Sequence, residues 1–502
     1  MKKLLIVLLI LLMLAGCGTK QEVETETNGE DETVERTDLK ILAPFEPYTL
    51  ENVETIDTAI VLRNIYATLY RLDSNDQLTT ELAESYTVNK DFTVYTFTLK
   101  DGLLFSDGSP LTSEDVKYSW DRSKEMGNEY FLEIENVETP DEKTVVVTLS
   151  YPNNAFLYDV GSEHMSVMSK AAIEAGMDVA FCPNITSGAY YVESWDMDGH
   201  HIYLKANENY VMGAPAIKDV CITYVRDAAY HQLLLDGTYD YVTNISSGHG
   251  DVPYLKVAEN IDLITYDNRS WMFMSLNQNN PYLADNNVRK AIVSAIDVEY
   301  IITSVVNGQA TPAPLIVAGG IEGYLPGFNE SPYDVKAARE YMAQSNYPNG
   351  FTMTLEITDG EKVAEAIKTL LKEINIEVEI ELVDLDTLYG DVLGGDYDAG
   401  FLSYSMYSGH MSHAIPLFDE GYLNIAMSPD TTIGKLMTQS LGVSDAAERD
   451  ALLSEAYTLM REQWPYVGLY WTTVYDAKVS NLKLKAPVTS ERFILSDMYW
   501  EQ

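Results

Sequence analysis

The chain has 502 residues, 46% of them apolar and 22% charged, which is enough for a globular protein with more than one core. Its 33 lysines and arginines stand against 77 aspartates and glutamates, a formal net charge of −44. That balance excludes a polyanion-binding surface, so neither nucleic acid nor anionic lipid is an expected partner.

Lys2 and Lys3 precede an unbroken apolar run from Leu4 to Leu14. The run suits a signal-peptide hydrophobic region and falls short of the roughly 20 residues that cross a bilayer. Leu14-Ala15-Gly16-Cys17 resembles a bacterial lipobox, in which small residues admit a peptidase and the cysteine thiol accepts a diacylglyceryl group. Residues 1–16 are therefore read as a lipoprotein signal peptide. Residues 17–37 are read as a lipidated Cys17 followed by an acidic tether, because Glu22, Glu24, Glu26, Glu30, Asp31, Glu32 and Glu35 leave no apolar face to bury. The expected location is the outer face of the cytoplasmic membrane. No later segment is long and apolar enough to span a membrane.

Thr93 to Leu99 alternates, with Tyr95, Phe97 and Leu99 on one face of a strand. Ser106-Asp107-Gly108-Ser109-Pro110 is a turn, and Thr112 then caps a helix carrying Val116 and Trp120. Tyr190–Ser194 and His201–Lys205 flank Asp198-Gly199 as a hairpin. The paired aspartates there lack the following ligands of a calcium loop. Asp285 or Asn286 caps a helix whose stripe is Val288, Ala291, Ile292, Ala295 and Ile296. Val363, Ile367, Leu370, Leu371 and Ile374 line a second helix, and Ile376, Val378, Ile380 and Leu382 then alternate as a strand. Leu452 to Met460 lines a last helix, which Pro465 ends before the buried strand Tyr466–Trp471. Strands and helices mix without internal repeats, so the class is α/β. Besides Cys17 there are two cysteines, Cys182 and Cys221. They could pair in an exported protein, but no C-x-x-C or zinc spacing is present.

Three of these stretches together resemble the large extracytoplasmic solute-binding proteins of ABC importers, the peptide- and nickel-binding group called family 5. Residues 81–122 carry Phe105, Asp107, Gly108, Pro110, Thr112, Asp115 and Val116 in the family's order. Residues 187–227 carry Gly188-Ala189-Tyr190 where the family usually has G-P-Y. Residues 276–297 match at Asn277, Pro281, Val288, Arg289, Ala291 and Asp297. Most of these positions are structural, Asp107-Gly108 as a turn and Arg289 in a local ion pair. The resemblance implies a two-lobed periplasmic-binding-protein clamshell, type II-like, with an extra inserted subdomain. Lobe I is expected from 38–68, 180–268 and 476–502, the inserted subdomain from 69–179, and lobe II from 269–475. A small solute, a short peptide first, would bind between the lobes and be delivered to the permease and ATPase subunits of an importer by a monomeric protein. Metal chelates and oligosaccharides are the alternative cargoes, and no cofactor is expected.

Carried over block by block, the resemblance places Tyr48, Tyr130, Asn244, Ser246, Trp271, Asn277, Tyr404, Tyr407, Tyr470 and Trp471 around the solute. Peptide-binding members usually place an acid after the strand that begins with a Y-D pair, to meet a peptide's amino group. Between Asp398 and Asp419 this chain has no acid. A bound peptide is therefore expected to rely on backbone hydrogen bonds and aromatic contacts. His410-Met-Ser-His413 could ligate nickel or copper, but a solvated loop with two unrelated histidines is the plainer reading, so no metal site is assigned. A membrane-anchored hydrolase is the rival class. No G-x-S-x-G, H-E-x-x-H or phosphate loop supports it, and a non-enzyme is expected.

Overall fold

The alternation of residues 93–99 forms the strand Val94–Leu99, with Tyr95, Phe97 and Leu99 buried. The structure is a computed structural model that describes residues 36–51, 56–73, 77–127, 131, 133–226, 228–317, 319–406, 409–488 and 493–501. The signal peptide, Cys17 and most of the expected tether lie outside the described residues, as do Tyr130 and Tyr407.

Val94–Leu99 is an inner strand of a four-stranded antiparallel sheet, ordered Ala83–Val88, Val94–Leu99, Thr144–Leu149 and Ile134–Asp141. Helix Ser113–Glu125 begins where expected: the Asp115 carboxylate accepts from the Thr112 backbone N–H at 2.9 Å. Its Trp120 is buried, and the indole N–H donates to the Met165 carbonyl at 3.1 Å. The Asp107-Gly108 turn is present, with Gly108 at φ +84°.

An eleven-stranded mixed sheet runs through the described residues. Its order is Ile376–Leu382, Phe351–Ile357, Ala399–Ser405, Ile261–Leu276, Tyr466–Val479, Tyr241–Ser246, Asp38–Ala43, Asp219–Tyr224, His201–Ala206 and Tyr190–Asp196, with Ala310–Pro312 paired to Tyr466–Val479. The strand expected at Tyr466–Trp471 is thus the first half of a longer one. It pairs antiparallel with Ile261–Leu276 along most of its length. The register between these two strands breaks between Asp267 and Trp271 and again between Met272 and Phe273.

Three cores flank the sheet. One gathers residues between Leu39 and Tyr224 with Leu482, Phe493, Leu495, Met498 and Trp500, and is called the N-terminal core here. A second, the C-terminal core, joins residues from Trp271 to Trp471 and also takes in Ala155. It buries the expected stripe of helix Asn286–Ala295, that of Glu361–Leu371 apart from the half-buried Leu370, and the Leu453, Ala456 and Met460 face of Ala446–Gln463. Each buried leucine or isoleucine in these faces contributes about 1.5–3 kcal/mol. A small third core forms around Tyr230, Val242, Ile245 and Tyr475. The paired long strands link it to the C-terminal core, with Ile261 and Ala477 at one end and Phe273 and Val467 at the other.

One expectation changes, and one question the sequence left open is answered. Arg289 is held by carbonyls rather than by a carboxylate: those of Gln463 at 2.7 Å, Leu283 at 2.8 Å and Ala284 at 3.0 Å. It therefore ties the start of one helix to the end of another, and burial lowers its pKa to about 10. Cys182 and Cys221 are both free thiols. Among the described residues no helix is long and apolar enough to cross a membrane.

Candidate functional site

The segment that follows strand Thr144–Leu149 reaches across to the C-terminal core. Asn154 donates its backbone N–H to Leu441 at 2.8 Å, and its side-chain amide to the Ser440 and Val443 carbonyls at 3.1 and 3.0 Å. The Tyr158 ring lies 5.3 Å from the His410 ring. These contacts frame a cavity of about 520 Å³. Glu133, Tyr151, Asn153 and Asp159 form one wall. Tyr404, Ser412, His413, Ile415, Pro416 and residues from Asp419 to Leu423 form most of the other.

The first wall is built on an amide. Asn153 Nδ2 reaches Glu133 Oε2 at 2.9 Å and Oε1 at 3.1 Å, and Asp159 Oδ2 at 3.4 Å, while its Oδ1 accepts from the Ala155 N–H at 2.9 Å. Burial raises the Glu133 carboxyl to about 7, against the hydrogen bonds from Asn153 and Tyr151. Burial, followed by the charge of Glu133, raises Asp159 well above the usual carboxylate range. In the opposite wall Tyr404 donates to the His413 carbonyl at 2.8 Å. Burial lowers His413 to about 4 and His410 to about 3, so both rings are neutral near pH 7.

The histidine pair therefore does not sit in a solvated loop. His410 is buried against Tyr158, and residues Met411–Leu417 form a tight helical turn that begins from it. His410 Nδ1 accepts the Ser412 backbone N–H at 3.0 Å, which occupies that nitrogen. Among the described residues no group of three or more His, Cys, Asp or Glu side chains is placed to hold a metal ion.

The expected site residues scatter. Tyr404 lines the cavity. Cross-strand register sets Tyr404, Trp271 and Trp471 in one row of the large sheet. Trp271 is nevertheless a core residue, stacked on Phe273 at 4.4 Å with its N–H on the Ala313 carbonyl at 2.8 Å. Trp471 and Tyr470 are buried beside it, and the Trp471 indole N–H makes no hydrogen bond among the described residues. Asn277 is buried, with its amide on the Gly395 and Tyr397 carbonyls at 3.0 and 2.5 Å. Asn244 takes a left-handed φ of +55° where the register of its strand shifts, two residues before the exposed Ser246. Tyr48 is 67% exposed. The sequence reading missed Glu133, Asp159 and Asp419. The one local signal was an acid inside the apolar run Phe131-Leu132-Glu133-Ile134.

A long mixed sheet runs into separate cores, with a half-open cavity where a neighbouring sheet meets one of them, and this is the fold of solved solute-binding proteins. HbpA2 from Haemophilus parasuis superposes with a TM-score of 0.81 at 20% identity, covering 93% of this chain and 100% of that one. The ABC transporter-associated periplasmic binding protein DppA from Helicobacter pylori, solved in complex with the peptide STSA, gives 0.76 at 23% identity over 93% and 98% of the two chains. Residues 77–421 match the family of bacterial extracellular solute-binding proteins, family 5 (middle), and the chain belongs to that family. The glutathione-binding protein GsiB of Escherichia coli K12 is 26% identical over 462 residues, 86% of this chain and 89% of its own length. The protein is thus an extracytoplasmic solute-binding component of an ABC importer.

Proposed function

We propose that the protein is a monomeric, lipid-anchored receptor on the outer face of the cytoplasmic membrane that captures a short peptide and hands it unchanged to an importer's permease and ATPase. The observation that carries this reading is the cavity of about 520 Å³ in a chain of the solute-binding family, since small-solute sites fall in the range of roughly 300–1,000 Å³. Peptides lead because the similar DppA holds a peptide and the similar GsiB is named for glutathione, itself a short peptide. The lobes proposed are 38–68 with 180–268 and 476–502, and 269–475, with 69–179 inserted. The paired long strands would act as the hinge, bending where their register breaks between Asp267 and Trp271. No cofactor enters, and the solute leaves as it arrived. The test is small-angle scattering with and without a captured di- to pentapeptide fraction, alongside mass spectrometry of that fraction. The radius of gyration is expected to fall on binding, and the peptide masses to stay unchanged over hours. Binding without compaction would count against the clamshell, and hydrolysed peptide would revive the enzyme reading.

A further inference from the structure

The cavity wall carries four carboxyl groups, Glu133, Asp159, Asp419 and Glu420, and no lysine or arginine. Glu420 already has a cation, with Lys435 Nζ at 3.2 Å. Among the described residues the other three do not pair with a basic side chain. Glu133 is 7% exposed, and its hydrogen-bond donors are neutral, the Asn153 amide and the Tyr151 hydroxyl. Because Asn153 Nδ2 reaches Glu133 and Asp159 together, the two carboxyl groups are close neighbours around one amide. Asp419 enters from the opposite wall, and its charge reaches the Tyr151 hydroxyl that bonds Glu133.

Buried carboxylates without a counter-charge are unfavourable, and like charges facing each other across a closing gap oppose closure. A positive group between them reverses both effects. We propose that this cavity selects solutes bearing a cationic nitrogen, an ammonium or guanidinium, bound between the Glu133–Asp159 pair and Asp419. The inference rests on this cavity being the solute site. It moves the acid that meets a cationic group away from the strand after Tyr397-Asp398, which has none before Asp419, and onto the wall contributed by residues 133–159. Closure and selectivity then share one cause: a cationic nitrogen lets the buried Glu133–Asp159 pair ionise against it, whereas a neutral solute leaves that pair protonated and Asp419 without a partner across the gap.

The full-length protein is incubated with two defined mixtures, a di- to pentapeptide hydrolysate and a set of non-peptide amines containing arginine, putrescine and spermidine. Captured species are identified by mass spectrometry. Lysine and arginine peptides are expected to be enriched over the input. For one captured lysine peptide, acetylating the cationic nitrogen, Glu133→Gln or Asp419→Asn should each weaken binding roughly ten- to hundredfold. Asp419 is only partly buried, so Asp419→Asn keeps the test decisive if Glu133→Gln misfolds. Capture of peptides with no charge bias overturns the cationic-solute inference and leaves peptide capture standing. Capture from the amine set alone keeps the inference and overturns the peptide reading. Unchanged affinity in both variants, or capture from neither mixture, overturns the inference.

Discussion

Asp476 offers the sharpest test of how the long strands are held. It is 2% exposed, on the central strand between Tyr241–Ser246 and Ile261–Leu276. Its carboxylate accepts from Tyr241 Oη at 2.5 Å, Tyr266 Oη at 3.0 Å, Thr243 Oγ1 at 3.1 Å and the Asn244 N–H at 2.8 Å. Burial raises its pKa, and the four donors oppose the rise. Asp476→Ala removes the acceptor from all four. At about 1 kcal/mol for each donor left buried and unpaired, the loss is about 4 kcal/mol, a large share of the roughly 5–15 kcal/mol that holds a typical domain. Asp476→Asn keeps the volume but turns one oxygen into a donor facing donors, so about half that loss is expected. Urea titration followed by tryptophan fluorescence and far-ultraviolet circular dichroism measures both, and agreement of the two probes checks that one transition is being read. A change below about 1 kcal/mol with an unchanged slope would mean that water replaces the carboxylate, and the hub argument fails. The same bond fixes Asn244 at its left-handed φ, so hydrogen exchange at residues 244–246 should quicken in the alanine variant.

Burial and the charges of Asp391, Glu381 and Asp398 raise Glu356 to about 7. An acid raised in the fold lowers stability as pH climbs from its unfolded value near 4.5 to about 7. Glu356→Gln should therefore melt on the order of 2 °C above the parent at pH 8 and level with it at pH 4. His410 acts in the opposite sense. Burial, with Arg449 adding to it, lowers it to about 3, so the unfolded chain binds its proton first as pH falls below about 6.5. The melting advantage of the parent over His410→Gln should shrink between pH 7 and pH 5, and a constant gap would show that the ring is not buried neutral. Cys17→Ala should move the protein from the membrane fraction to the soluble one. Retention through the same washes would refute the anchor.

The fold was legible because its signals are local. A period of two placed Val94–Leu99, a 3.6-residue stripe placed Asn286–Ala295, and Asp285 capped that helix through the Asn287 N–H at 2.9 Å. The site was far less legible because no local period encodes it. Glu133 and Asp419 lie 286 positions apart in the chain, yet both line one cavity. The crossing of the Asn154 segment onto Leu441 and the packing of Tyr158 on His410 bring their walls together. The same contact explains the histidines. A stretch rich in serine, glycine and histidine reads as a wet loop, and Tyr158, more than 250 positions earlier, covers it. Family blocks could not have supplied the missing residues, since a matched block records what a fold keeps. Asn277 fits that description, its amide holding the Gly395 and Tyr397 carbonyls within the C-terminal core. Solute choice depends on side chains that one fold can exchange without cost to its packing. Those are the polar positions on the facing walls, where sequence pattern carries the least information.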